Sequence, residues 1–180
     1  MSDPRWGPFL FDTSAESWLA RGEDPRAVRW WREYLGRHAV HVSSITVLER
    51  TRGYAMLWRA ADQKRRAMIE TARVAYLESA RSVLPIDSAT AVVAGEIMAL
   101  VPEPPTPPKR SHRRVESKSE RLARWRFDGI IAATAMVAGM TLIHNNPGDF
   151  EAIRGSVENN PERFSQVGPL NLIRCRVAVT

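Results

Sequence analysis

Four acidic residues, far apart along the chain, stand where they could do chemistry together. Asp12 follows the short apolar run PFLF (8–11), and Glu49 lies in the first turn of a helical segment after AVHVSS (39–44). Asp128 opens the almost wholly apolar stretch FDGIIAATAMVAG (127–139), and Asp149 lies in the loop after MTLIH (140–144). If the apolar runs are parallel strands, their carboxyl ends share one edge of a sheet, where open α/β sheets bind ligands at a topological switch point. Four carboxylates in one partly desolvated cleft repel and raise each other's pKa unless a cation compensates. Ligation by oxygen alone suits Mg²⁺ or Mn²⁺, which bind through a few carboxylates, waters and a substrate phosphate. Helix capping is the competing reading for each acid. Asp is a favoured N-cap, Asp12, Asp128 and Asp149 all stand at plausible helix starts, and Thr46 with Glu49 spells a T-x-x-E capping box.

The elements that must position these acids alternate in type. Strands are expected at 8–11, 39–44, 82–86 and 140–144, with 171–179 alternating like an edge strand. Helices are expected at 15–20, 24–36, 45–60, 63–80, 89–101 and 127–139. The clearest is 24–36, with Asp24 as N-cap, Pro25 at the first helical position and Gly36 past the end. Alternation of strand and helix predicts an α/β/α sandwich with a central, mostly parallel sheet. At 180 residues the chain fits a single domain over 1–180, interrupted by a Pro-rich and basic insertion at 102–126.

Charge is concentrated rather than spread. Of the formal net charge of +6, all is carried by 109–126, where eight basic residues face two acids. Lys109, Arg110, Arg113, Arg114, Lys118, Arg121, Arg124 and Arg126 make a local field that attracts a polyanion. The same run also reads as a solvated linker, because PEPPTPPKR (102–110) cannot hold a helix. No window approaches about 18 uninterrupted apolar residues, which excludes a membrane-spanning helix. The N-terminus lacks the pattern of a secretory signal, and a single cysteine, Cys175, suits a reducing cytoplasm.

Other residue types carry weaker expectations. Trp30, Trp31, Tyr34, Trp58 and Trp125 could stack on bases, although aromatics at helical spacing usually belong to a core. Trp125 stands out because it lies inside the basic run, and one of the adjacent Trp30 and Trp31 is expected to mark a partner surface. His38, His41, His112 and His144 show no metal-ligand spacing and are expected to satisfy local hydrogen bonds. Cys175, in an apparent strand, reads as a small buried hydrophobe.

The blocks F-L-F-D-T-S (9–14), S-S-I-T-V-L-E-R-T-R-G (43–53), F-D-G-I-I-A-A-T-A-M-V-A-G-M-T-L-I (127–143) and N-P-G-D-F (146–150) together resemble the PIN-domain nucleases. The resemblance is nearest to the VapC-type toxins of bacterial toxin–antitoxin pairs. It implies a metal-dependent endoribonuclease, a hydrolase acting on phosphodiester bonds of single-stranded or loop RNA. It assigns Asp12, Glu49, Asp128 and Asp149 as the catalytic and metal-binding acids. Asp12 and Asp128 would be direct ligands, with Glu49 and Asp149 direct or through water. Ser14 and Asn146 match the polar positions that support the site by hydrogen bonding. An antitoxin that blocks the cleft and a homodimer are the partners it implies. A PIN-like module that binds RNA without cutting it, or a DNA-acting nuclease, are the alternatives on the same scaffold.

Overall fold

Three residues of alternating environment start the sheet. In β1 (Phe9–Phe11), Phe9 and Phe11 turn to one face and Leu10 to the other, and all three are buried. Parallel strands covered by helices on both faces read as continuous apolar runs for this reason. The computed structural model describes residues 6–79, 81–105 and 117–178. Its elements follow in the order α1 (Thr13–Arg21), α2 (Pro25–Leu35), β2 (Val40–Ser43), α3 (Ser44–Ala60), α4 (Gln63–Glu78), β3 (Arg81–Leu84) and α5 (Ser88–Leu100). After these come α6 (Lys118–Val137), β4 (Thr141–His144), α7 (Pro147–Glu158), β5 (Leu172–Arg174) and the short α8 (Cys175–Ala178).

The sheet has five strands in the order β3-β2-β1-β4-β5, and every pairing is parallel. The chain steps outward from β1 to β2 and β3, then crosses back to lay β4 on the other side of β1. The switch point is therefore between β1 and β4, where Phe11 lies opposite Ile143. One face packs Leu10 and Leu142 against α5, α6 and α7. The other packs Phe9, Phe11, Val42 and Ile143 against α1 and α2. Tyr34 anchors that second layer: it is fully buried, its hydroxyl accepts from Phe9 N at 3.0 Å, and it stacks between Trp30 and Trp31. Both tryptophans thus pack against this layer, Trp30 buried and Trp31 only partly so.

The largest departure from expectation is the start of α6. The segment 118–126, read as linker, is helical. Ser117 caps it by accepting from Glu120 N at 3.2 Å, while the Glu120 carboxylate accepts from Ser117 N at 2.9 Å. This reciprocal capping box was written in the sequence as S-K-S-E and was obscured by the basic run around it. Trp125 then turns inward, 2% exposed, and its indole donates to Val101 O at 2.8 Å. Its burial removes it from the candidates for base stacking. At the other end α6 stops where Gly139 adopts φ 63°, with Met140 N donating to Ala135 O at 2.9 Å. Lys109, Arg110, His112, Arg113 and Arg114 lie outside the described residues.

The C-terminal stretch also differs. Only Leu172–Arg174 forms an edge strand, parallel to β4, and the chain then turns into α8. Cys175 is fully buried there as expected, and burial pushes its thiol up to about 12, which makes it inert as a nucleophile. Among the described residues no helix is long and apolar enough to cross a membrane.

If the first turns of α6 are pinned as described, Trp125→Ala should cost about 3–5 kcal/mol and Ser117→Ala about 1 kcal/mol. Urea unfolding monitored by circular dichroism measures both. Losses near zero in both variants would mean that 118–126 is a solvated arm.

Candidate active site

Asp12 shows why one carboxylate can belong to both readings of the sequence. It is the N-cap of α1, accepting from Ala15 N at 2.5 Å, and it also accepts from Ser14 Oγ at 2.9 Å and Asn145 N at 3.4 Å. β1 ends at the switch point, so this cap stands at the carboxyl edge of the sheet, and only 4% of Asp12 is exposed. Burial drives its pKa up to about 6, and the Glu49 charge adds to the rise. The hydrogen bonds from Ala15, Ser14 and Asn145 oppose it.

Asp128 is not a helix opener. It sits mid-helix in α6, within the buried stretch of that helix. Burial raises its pKa well above the usual carboxylate value, and the charges of Asp149, Asp12 and Glu49 push it in the same direction. The charges of the other three acids singled out by sequence are therefore all felt at Asp128. Asp149 is not in a loop but in the first turn of α7, 7% exposed. Asn146 joins the two: its amide donates to Asp128 Oδ2 at 2.9 Å and to Asp149 Oδ2 at 2.6 Å. As the N-cap residue of α7 it makes no side-chain capping bond, since its amide is turned to the acids.

Glu49 comes from α3 on the opposite wall. The capping box expected with Thr46 does not form, because Ser43 caps α3 by accepting from Thr46 N at 3.2 Å. Glu49 is left free to accept a hydrogen bond from the Thr13 hydroxyl of α1. Thr13 was not anticipated, although it stands inside the D-T-S block.

Between α3 and the first turns of α6 runs a cleft of about 490 Å³, lined by Glu49 and Arg52 on one side and by Ser119, Arg124 and Phe127 on the other. Arg124 Nε stands 3.9 Å from Asp149. Arg52 and Phe127 were missed by the sequence reading, since nothing marks an isolated Arg or Phe until α6 is seen to begin at Lys118. Lys118 pairs with Glu103 at 2.8 Å, and Arg121 and Arg126 lie on the same helix. Of the five aromatics singled out by sequence only Trp58 is exposed, and Arg66 lies 4.5 Å over its ring. The histidines do not close local hydrogen bonds throughout. Among the described residues His38 Nε2, His41 Nδ1 and His144 Nδ1 are buried without a partner. Burial lowers the pKa of His144 to about 4, so it is neutral near pH 7 and packs against Phe150.

Among the described residues no three His, Cys, Asp or Glu side chains stand as a ready-made ligand set for a metal ion. Several carboxylate oxygens are instead held by Thr13, Ser14, Asn145 and Asn146. The donor chemistry nevertheless fits a hard divalent cation. The donors are all oxygen, and the charges of Asp149, Asp12 and Glu49 that raise the Asp128 pKa are what a cation would relieve.

A pH dependence follows for the protein free of divalent ions. The folded state holds the Asp12 proton more tightly than the unfolded chain does. Its stabilising contribution is therefore complete below the ordinary value of 3.8 and is lost as pH rises to about 6. The loss is on the order of 3 kcal/mol, and Asp128 acts in the same direction. Asp12→Asn, titrated by urea unfolding from pH 4 to 7, should flatten this fall. An unchanged slope would place Asp12 in solvent.

The geometry is matched by likeness to known proteins. The PIN domain family profile matches residues 9–155. DNA-bound VapBC from Salmonella typhimurium is similar in fold, with TM-score 0.55 and 20% identity over 93% of this chain and 97% of that one. FitAcB from Neisseria gonorrhoeae gives TM-score 0.58 and 21% identity over 94% and 99% of the two chains. FitAB bound to an IR36 DNA fragment gives 0.59 and 22% over 93% and 95%. No curated protein is close enough in sequence to match. With the profile spanning most of its length and the acids gathered at the switch point of a parallel sheet, the chain belongs to the PIN-domain family.

Proposed function

We propose that this chain is a single PIN-like domain acting as a divalent-metal-dependent endoribonuclease, the toxin of a type II toxin–antitoxin pair in the cytoplasm. The observation that carries the reading is the convergence of Asp12, Glu49, Asp128 and Asp149 beside the β1/β4 switch point. Asp12 and Asp128, the two whose pKa values rise, are the proposed direct ligands of Mg²⁺ or Mn²⁺. Glu49 and Asp149 complete the shell directly or through water. Lewis acidity toward the scissile phosphate and a lower pKa for the attacking water are what the ion supplies when bound.

The chain's own residues do the rest. Asn146 fixes the Asp128 and Asp149 carboxylates relative to each other, and Ser14 and Thr13 orient Asp12 and Glu49. Arg52 and Arg124, on opposite walls of the cleft that Glu49 lines, are placed to receive backbone phosphates. Phe127 offers a face for a base, and a single strand or splayed loop fits such a slot better than a duplex. Lys118, Arg121 and Arg126, with Lys109, Arg110, Arg113 and Arg114 of the preceding run, draw RNA toward the cleft. No nucleophilic side chain is needed, which agrees with the burial of Cys175.

Similarity in fold to VapBC and FitAB supports an antitoxin partner, and a homodimer belongs to the same proposal. So do the exposed apolar side chains Met56, Leu57 and Met68 on the α3–α4 hairpin, which a protein surface would cover.

Purified protein should cut single-stranded RNA in Mg²⁺ or Mn²⁺, stop on chelation, and leave DNA of the same sequence intact. Asp12→Asn and Asp128→Asn should each slow cleavage by roughly a thousandfold or more. Equal cutting of DNA would change the substrate. RNA bound but uncut in Mg²⁺ would make the chain a binding module.

A further inference from the structure

A charged cluster lies behind the acids and takes no part in the chemistry just described. Glu16 of α1 is fully buried, an unusual place for a carboxylate. Arg81 of β3 donates to its Oε1 at 2.7 Å, and Arg50 Nε of α3 stands 3.5 Å from its Oε2, an ion pair in which neither atom makes a hydrogen bond. Arg50 also donates to Ser17 Oγ at 3.0 Å and to Tyr54 OH at 3.3 Å. Tyr76 of α4 lies beneath both guanidinium groups, 4.1 Å from Arg81 and 4.8 Å from Arg50. Arg81 also donates to Tyr76 O at 2.6 Å, so the cluster ties α1, α3, α4 and β3 at one point.

Its placement relative to the site is specific. Glu49 and Arg50 are consecutive on α3, and both reach α1. Glu49 meets Thr13, and Arg50 meets Glu16 and Ser17 one turn further along. Asp12 caps that same helix, with Glu16 N donating to Asp12 O at 3.0 Å. Two contacts a helical turn apart fix both the height and the rotation of α3 against α1, which a single contact cannot do. A buried ion pair is a costly way to hold two helices and gives little net stability, but it has defined geometry. Arg suits this use because its planar fork is pre-organised and serves several acceptors at once.

We infer that Arg50, hydrogen-bonded to Ser17 and ion-paired with the buried Glu16, is a positioning residue that sets where Glu49 stands against Asp12 and Asp128. Its consequence for cleavage rests on the nuclease reading above; its consequence for the placement of Glu49 does not.

The test has two arms. In the first, Arg50→Met, folded as judged by circular dichroism, should lower kcat for RNA cleavage by about 10- to 100-fold with KM little changed. Arg50→Lys, which keeps a charge opposite Glu16, should recover part of the loss. An Arg50→Met protein that folds and retains wild-type kcat overturns the inference. The second arm needs no activity. In protein free of divalent ions, the effects of Arg50→Met and Glu49→Gln on the folding equilibrium constant should depart from simple multiplication by more than about threefold. Combination within about threefold overturns the inference as well. If Arg50→Met does not fold, the cycle is run with Arg50→Lys and the same criterion. Should the wild type cut no RNA in Mg²⁺, the nuclease reading falls while the cycle still decides the role of Arg50.

Discussion

Repulsion among carboxylates that the fold forces together is the constraint on which the rest of this structure depends. Left to themselves, Asp12, Glu49, Asp128 and Asp149 would separate into water. They are held by elements whose own stability comes from elsewhere: a strand end, the middle of a buried helix, a first helical turn and the wall of a second helix. The cost is visible in Asp12 and Asp128, whose charged forms are disfavoured by burial and by their neighbours. Asn146, Ser14 and Thr13 offset part of it by donating hydrogen bonds. On the proposed function, a cation and a substrate phosphate would relieve this charge imbalance at the switch point of the parallel sheet.

The surrounding architecture distributes the tasks. The apolar layers around Tyr34 and around α6 supply the stability that the acids consume. The early start of α6 converts a flat sheet edge into a slot, because its first turns rise opposite α3. The Glu16 cluster ties the α3 wall to α1 and to the sheet edge, so that the two sides of the slot keep a fixed relation.

Much of this was legible in the sequence because local rules and tertiary structure agreed. The apolar runs at β1, β2 and β4, the capped helix α2 and the apolar half of α6 all stand where pattern and capping residues put them. The four acids were legible only through the order of the strands, and capping alone would have dispersed them. Asp12 proved to be both cap and site residue, whereas the T-x-x-E reading of Glu49 failed because Ser43 took the capping role first. The first turns of α6 were hidden because eight basic residues suggest solvent, and the Ser117–Glu120 box within them was passed over. Thr13 and Arg52 lie inside recognisable blocks but with nothing there to mark a role, and Glu16 has no signature at all. Thr13 acquires meaning from Glu49, 36 residues away, Glu16 from Arg81, 65 residues away, and Arg52 from the far wall of a cleft, which spacing along one chain does not reveal.

Calorimetric titration of the protein with Mn²⁺ at pH 6, repeated in buffers of different ionisation enthalpy, tests the central claim most directly. Cation binding among these acids must expel the protons that Asp12 and Asp128 hold, so the account predicts saturable binding with a net release of protons that Asp128→Asn diminishes. Binding without proton release, or none at all, would contradict it.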